Sequence, residues 1–199
     1  MKELIESFFA LVGKGKIEIY NEFSLQHEFG IFLREHMPGR KIRFERNVTY
    51  FGLNKDDFVK KEIDICVFEE SSWNCAIELK YPRNGQYPET MYSFCRDIRF
   101  LEQLMASGFE SAHFIAVADD KNFYSGNSGR IYGLFRGSQP ITDEITKPTG
   151  KKDSSIHIDG CYYAHWREIK DTSKYCTISI QRPKKLNSPP LDTAAGNVR

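Results

Sequence analysis

No apolar run in the 199-residue chain approaches the length of a membrane span, so a membrane partner is not expected. None of the five cysteines (Cys66, Cys75, Cys95, Cys161 and Cys176) forms a CxxC pair, and their odd number and scatter suit free thiols in a reducing compartment better than a disulfide framework. Charge of one sign is also missing. The formal net charge is +1, so any nucleic-acid binding has to come from a local patch. The opening MKELIESFFALVGKGK is amphipathic, carries two Glu and lacks the character of a signal peptide; a soluble, cytoplasmic protein is expected. Internal repeats and a second domain are absent as well. One domain is expected over residues 1–181, followed by a loosely held tail, 182–199, whose Pro, Gly and small residues show no core pattern.

What is present is ample material for a core, with 40% hydrophobic residues including 15 Phe and 10 Tyr. Apolar spacing predicts a helix over 2–12 that ends at Gly13 and Gly15, and a second from an N-cap at Ser24 to Pro38. A third starts at Pro88, carries Met91, Phe94, Ile98, Leu101 and Leu104 on one face, and stops at Ser107-Gly108. Strands are predicted at 41–50, 61–69, 74–81, 111–118, 130–136, 155–163 and 174–181, with 137–153 as a polar connection. The order α, α, β, β, β, α, β, then more β, predicts an α/β fold with a central mixed sheet flanked by helices.

The stretch EIDICVFEESSWNCAIELK (62–80) stands out, because it puts charges inside two apolar strands joined by a polar connection. Buried charges are costly unless they are paired or bind a metal. Strand alternation puts Asp64 on a face with Cys66 and Phe68, and puts Glu78 and Lys80 together on a face with Ala76, roughly 7 Å apart. If Asp64 lies beside them, three charges converge at one end of the sheet. Two carboxylates offer the hard oxygens that Mg²⁺ prefers, with water and phosphate oxygens completing its shell. A lysine beside such an ion can orient water or stabilise charge on phosphorus.

Asp64 and Glu78-Leu79-Lys80, with the element order over about 22–118, resemble the PD-(D/E)xK nuclease superfamily, whose fold is restriction-endonuclease-like. The resemblance covers about half the chain, and Ile63 stands where the superfamily's name has Pro. It implies an αβββαβ core with extra C-terminal strands here, and a metal-dependent nuclease that hydrolyses phosphodiester bonds, with DNA as the expected substrate. It implies Mg²⁺ as cofactor with Mn²⁺ as substitute, Asp64 and Glu78 as metal ligands, and Lys80 as the group that positions or activates water. Such enzymes often add an acid from the first core helix, for which Glu28, at the border of the Leu25–Phe29–Phe32 stripe, is the candidate. Many of them act as homodimers to cut two strands.

Arg83, Asn84 and Gln86 in the loop after Lys80, together with Lys60 and Lys61, are the candidates for substrate binding. Arg96 and Asp97 on the third helix are candidates for supporting the site. Histidines 27, 36, 113, 157 and 165 have no Cys at ligand spacing, which argues against zinc. The alternative function is a catalytically silent nuclease-like module for nucleic-acid binding or assembly.

Overall fold

A computed structural model describes residues 1–69, 74–83, 85–150 and 154–180. The first helix, α1 (Lys2–Gly13), buries Ile5, Phe8 and Phe9, as its apolar spacing requires. The second, α2 (Glu22–His36), starts earlier than expected, because its N-cap is Asn21. The Asn21 side chain accepts from the Ser24 N–H at 2.8 Å, and Ser24 Oγ accepts from the Asn21 N–H at 3.0 Å. This reciprocal capping box makes Ser24 the third helical residue and brings Glu22 into the first turn, where an acid suits the helix dipole.

Strands β1 (Lys41–Asn47), β2 (Glu62–Phe68) and β3 (Asn74–Lys80) form an antiparallel meander. Helix α3 (Tyr87–Ala106) then crosses over to β4 (Ser111–Ala118), which lies parallel to β3. Beyond it come a short helix α4 (Ile131–Phe135) and strands β5 (Ile141–Thr146), β6 (Ser155–Tyr162), β7 (Trp166–Lys170) and β8 (Ser173–Ile180). The main sheet has six strands in the order β1-β2-β3-β4-β8-β7, while β5 and β6 form a separate ribbon. The protein is therefore α/β, with a mixed six-stranded sheet flanked by helices.

Two expectations for the C-terminal half are corrected, and one strand is added to them. Residues 131–135 are helical, because Ile131, Leu134 and Phe135 stand at i, i+3 and i+4 and Ile131 and Phe135 are buried on that spacing. Residues 141–146, read as part of a polar connection, form a strand by pairing with β6. Trp166–Lys170 is an edge strand held by β8, with Trp166 Nε1 donating to the Phe135 carbonyl at 2.7 Å. The tail beyond residue 181 lies outside the described residues, and among those described no helix is long and apolar enough to cross a membrane.

Strand alternation divides the apolar side chains between two cores. One face of the sheet carries Ile65, Val67, Ile77, Leu79, Ile115 and Val117 against α1 and α2. Gly30 on α2 lets β1 come close, since a Cβ there would meet the Phe44 ring at 2.2 Å. The other face presents Cys66, Ala76, Ala112 and Ala116 to α3. The small residues let the helix approach, and the β5–β6 ribbon covers its outer side. Glu102 on α3 ties that ribbon down by accepting from the Asp159 and Gly160 N–H groups and from the Tyr162 hydroxyl at 2.7–3.0 Å.

His113 on β4 is buried, with Nδ1 3.0 Å from Ser179 Oγ and, among the described residues, no hydrogen-bond partner for Nε2. Burial, aided by the N-terminal ammonium, pushes its pKa down to about 4. The neutral ring is the form the fold favours. Its contribution to stability is therefore complete above the unfolded value of 6.5 and is lost as pH falls from there towards 4. Urea unfolding should show His113→Gln gaining on the wild type through that interval; parallel pH curves would mean that the ring does not titrate with folding.

Candidate active site

The β2–β3 ladder pairs Cys66 with Ala76 and Ile65 with Ile77. At the next position side chains replace the backbone ladder. Asp64 Oδ2 accepts from the Leu79 N–H at 2.8 Å, and the Asp64 N–H lies 3.4 Å from Glu78 Oε1. The strands open here into a small cleft of about 60 Å³ lined by Glu22, Phe23, Gln26, Glu45, Asp64 and Leu79. Glu45 stands in the left-handed region at φ 49° between the pairs Phe44–Ile65 and Arg46–Ile63, a conformation that costs a non-glycine residue about 1 kcal/mol. Gln26 Nε2 donates to both the Glu45 carboxylate and the Asp64 carbonyl, fastening α2 to the strand opening.

Two lysines reach into the carboxylates. Lys60, in the segment before β2, places Nζ 2.9 Å from Asp64 Oδ1, hydrogen-bonds Glu78 Oε2, and lies 3.9 Å from Asp97 Oδ1. Lys80 is 3.3 Å from Asp97 Oδ2 and 3.4 Å from Glu22 Oε1, and donates to the Leu79 carbonyl at 2.9 Å. Glu22 also accepts from the Tyr81 N–H at 3.1 Å, locking the start of α2 to the end of β3. Glu78 and Asp97 are 0% and 3% exposed, so these are interior charges.

Four carboxylates (Glu22, Asp64, Glu78, Asp97) face two ammonium groups, a net of −2 when all are ionised. Burial raises the Glu78 pKa well above the usual carboxylate range; neighbouring Asp64 adds to this and Lys60 opposes it. Burial likewise raises Asp97, against the pull of Lys80 and Lys60. For the lysines burial works downward, but Glu78, Asp97 and Asp64 around Lys60, and Asp97, Glu22 and Asp64 around Lys80, outweigh it and hold both firmly charged. Burial thus works against ionisation of the two interior acids, and the lysine charges work for it.

The structure brings Asp64, Glu78 and Lys60 together, with Lys80 beside them through Asp97. Glu28 is not part of the group. It pairs with His27 at 3.2 Å on the exposed side of α2, and the helix end that meets β3 presents Glu22 instead. Arg83 pairs with Asp119, and Gln86 is an exposed residue at the start of α3. Lys61 is exposed, its carbonyl accepting from the Val48 N–H at 2.9 Å. Arg96 is exposed too, whereas Asp97 one residue on is the buried partner of both lysines. Asn84 lies outside the described residues. Sequence reasoning missed Glu22, Gln26 and Glu45; the Asn21–Ser24 capping box was the signal that could have placed Glu22.

By donor chemistry the residues fit a hard divalent cation. Two carboxylate oxygens already converge on one cationic nitrogen, and Asp97 Oδ2 meets Lys80 without a well-directed hydrogen bond. Among the described residues no group of three or more His, Cys, Asp or Glu is arranged to hold a metal, so an ion here would take Asp64 and Glu78 and leave its other positions to water or substrate. Comparisons with protein-family models, curated proteins and solved structures find no match for this chain.

Proposed function

We propose that the chain is a divalent-metal-dependent nuclease of the PD-(D/E)xK type, cutting phosphodiester bonds in DNA. The observation that carries this reading is the convergence of Asp64 and Glu78 on a single cation position at the mouth of the sheet, with Lys80 next to it. The succession α2, β1, β2, β3, α3, β4 supports it, since this is the αβββαβ order of the restriction-endonuclease-like core. So does Phe23, 81% exposed on the rim of the cleft that holds Asp64, where an aromatic ring can stack on a base.

Mg²⁺ held by Asp64 and Glu78 would supply a water of lowered pKa and offset the charge gathering on phosphorus. The chain's own groups do the rest. Lys80, fixed by Asp97 and Glu22, holds a permanent positive charge where it can orient that water or meet a phosphate oxygen. The Leu79 N–H fixes the Asp64 carboxylate, and Gln26 fixes the backbone behind it.

One observation favours the second reading, a silent nucleic-acid-binding module. Lys60 already pairs with both ligand carboxylates, as it would in a site that no longer takes metal. Purified protein incubated with plasmid and with single-stranded DNA separates the two. Cleavage in Mg²⁺ or Mn²⁺ that disappears in chelator and in Lys80→Ala is the expected result. Retarded but intact DNA in both metals would establish the silent module.

A further inference from the structure

We infer that Lys60 is a tethered counter-ion that occupies the metal position of the resting site, and that a divalent cation enters by displacing it. This inference rests on the metal-site reading above. Its ground is that one nitrogen satisfies two ligand carboxylates at once. Nζ lies 2.9 Å from Asp64 Oδ1, is bonded to Glu78 Oε2, and has Asp97 Oδ1 at 3.9 Å. A metal ion bridging those two oxygens would take the position between them that the ammonium now fills. Without a cation, Glu78, fully buried and opposite Asp64, would be an uncompensated interior charge.

The two lysines therefore have different tasks. Lys80 projects from a strand, is held by Asp97, Glu22 and the Leu79 carbonyl, and can stay in place when the ion arrives. Lys60 comes from the non-helical, non-strand segment that precedes β2, four residues before Asp64, and its side chain is 20% exposed. It has a path to solvent that keeps its ammonium within a side chain's length of the ion. Phosphate oxygens brought there by substrate are its natural next partner. In this role Lys60 positions charge and sets metal affinity, and it never needs to touch the reacting atoms before substrate binds.

The test is Mn²⁺ binding to the full chain without DNA, followed by electron paramagnetic resonance or calorimetry at neutral pH. Lys60→Met keeps the length and removes the charge; Lys60→Arg keeps the charge. Lys60→Met should bind Mn²⁺ at least about tenfold more tightly than wild type, because competition is removed. Lys60→Arg should stay near wild type, and Lys60→Met/Asp64→Asn should lose the gain. Should Lys60→Met unfold without metal, Mn²⁺ should restore its cooperative melt, and failure to do so counts against the proposal. Equal affinity in wild type and Lys60→Met, or binding to neither, overturns it. The nuclease reading is judged separately. Tight Mn²⁺ binding by Lys60→Met with no cleavage by any form would sink that reading alone, while cleavage with equal affinities would sink only the displacement.

Discussion

Asp64→Asn is expected to lower metal-supported DNA cleavage by roughly 1000-fold or more, the scale on which losing one essential electrostatic group acts. The substitution is nearly isosteric, and Asn can still accept from the Leu79 N–H that Asp64 Oδ2 now holds at 2.8 Å. What it removes is the negative charge beside Lys60 Nζ and the anionic oxygen a hard cation requires. The backbone fastening should survive, so circular dichroism and the urea midpoint should move far less than the rate does. Glu78→Gln should behave alike in activity. A variant within tenfold of wild type at saturating Mg²⁺ would show that Asp64 is not a ligand.

The second large effect is on stability. Asp97→Ala is expected to cost about 3 kcal/mol, because breaking a buried ion pair from one side leaves its partner poorly compensated. Asp97 is 3% exposed and faces Lys80 at 3.3 Å and Lys60 at 3.9 Å, so its removal leaves Lys80 leaning on Glu22, which is half open to solvent. Denaturant unfolding at neutral pH measures this directly. Asp97→Asn, which keeps the shape, should lose less than Asp97→Ala. A change below about 0.5 kcal/mol in Asp97→Ala, the ordinary range for surface substitutions, would mean that the lysines do not depend on it.

Much of this arrangement was legible in strand parity. Alternation alone placed Glu78 and Lys80 on one face with Ala76, and on that face Ala76 packs under α3 and Lys80 meets its Asp97. Parity could not say whether Asp64 faced them, because that depends on the register between β2 and β3, which the Cys66–Ala76 pairing fixes through the sheet. Lys60 was invisible as a partner of the acids, since a residue in an irregular segment has no period to reveal its direction. The apolar stripe pointed to Glu28 at its border, but with the cap at Asn21 the helix start offers Glu22 to the end of β3. The C-terminal elements were hardest to read. Helix α4 is five residues long, and β7 is an edge strand whose pairing, not its apolar pattern, defines it.

Asp64 and Glu78 are proposed to hold a divalent cation where Lys60 Nζ now sits. Crystals grown or soaked in Mn²⁺ test it most directly through the anomalous signal of the ion. One strong peak is expected between the Asp64 and Glu78 carboxylates, with the Lys60 side chain swung away. Contradiction would be a saturated crystal with Lys60 still bonded to both carboxylates and no peak between them.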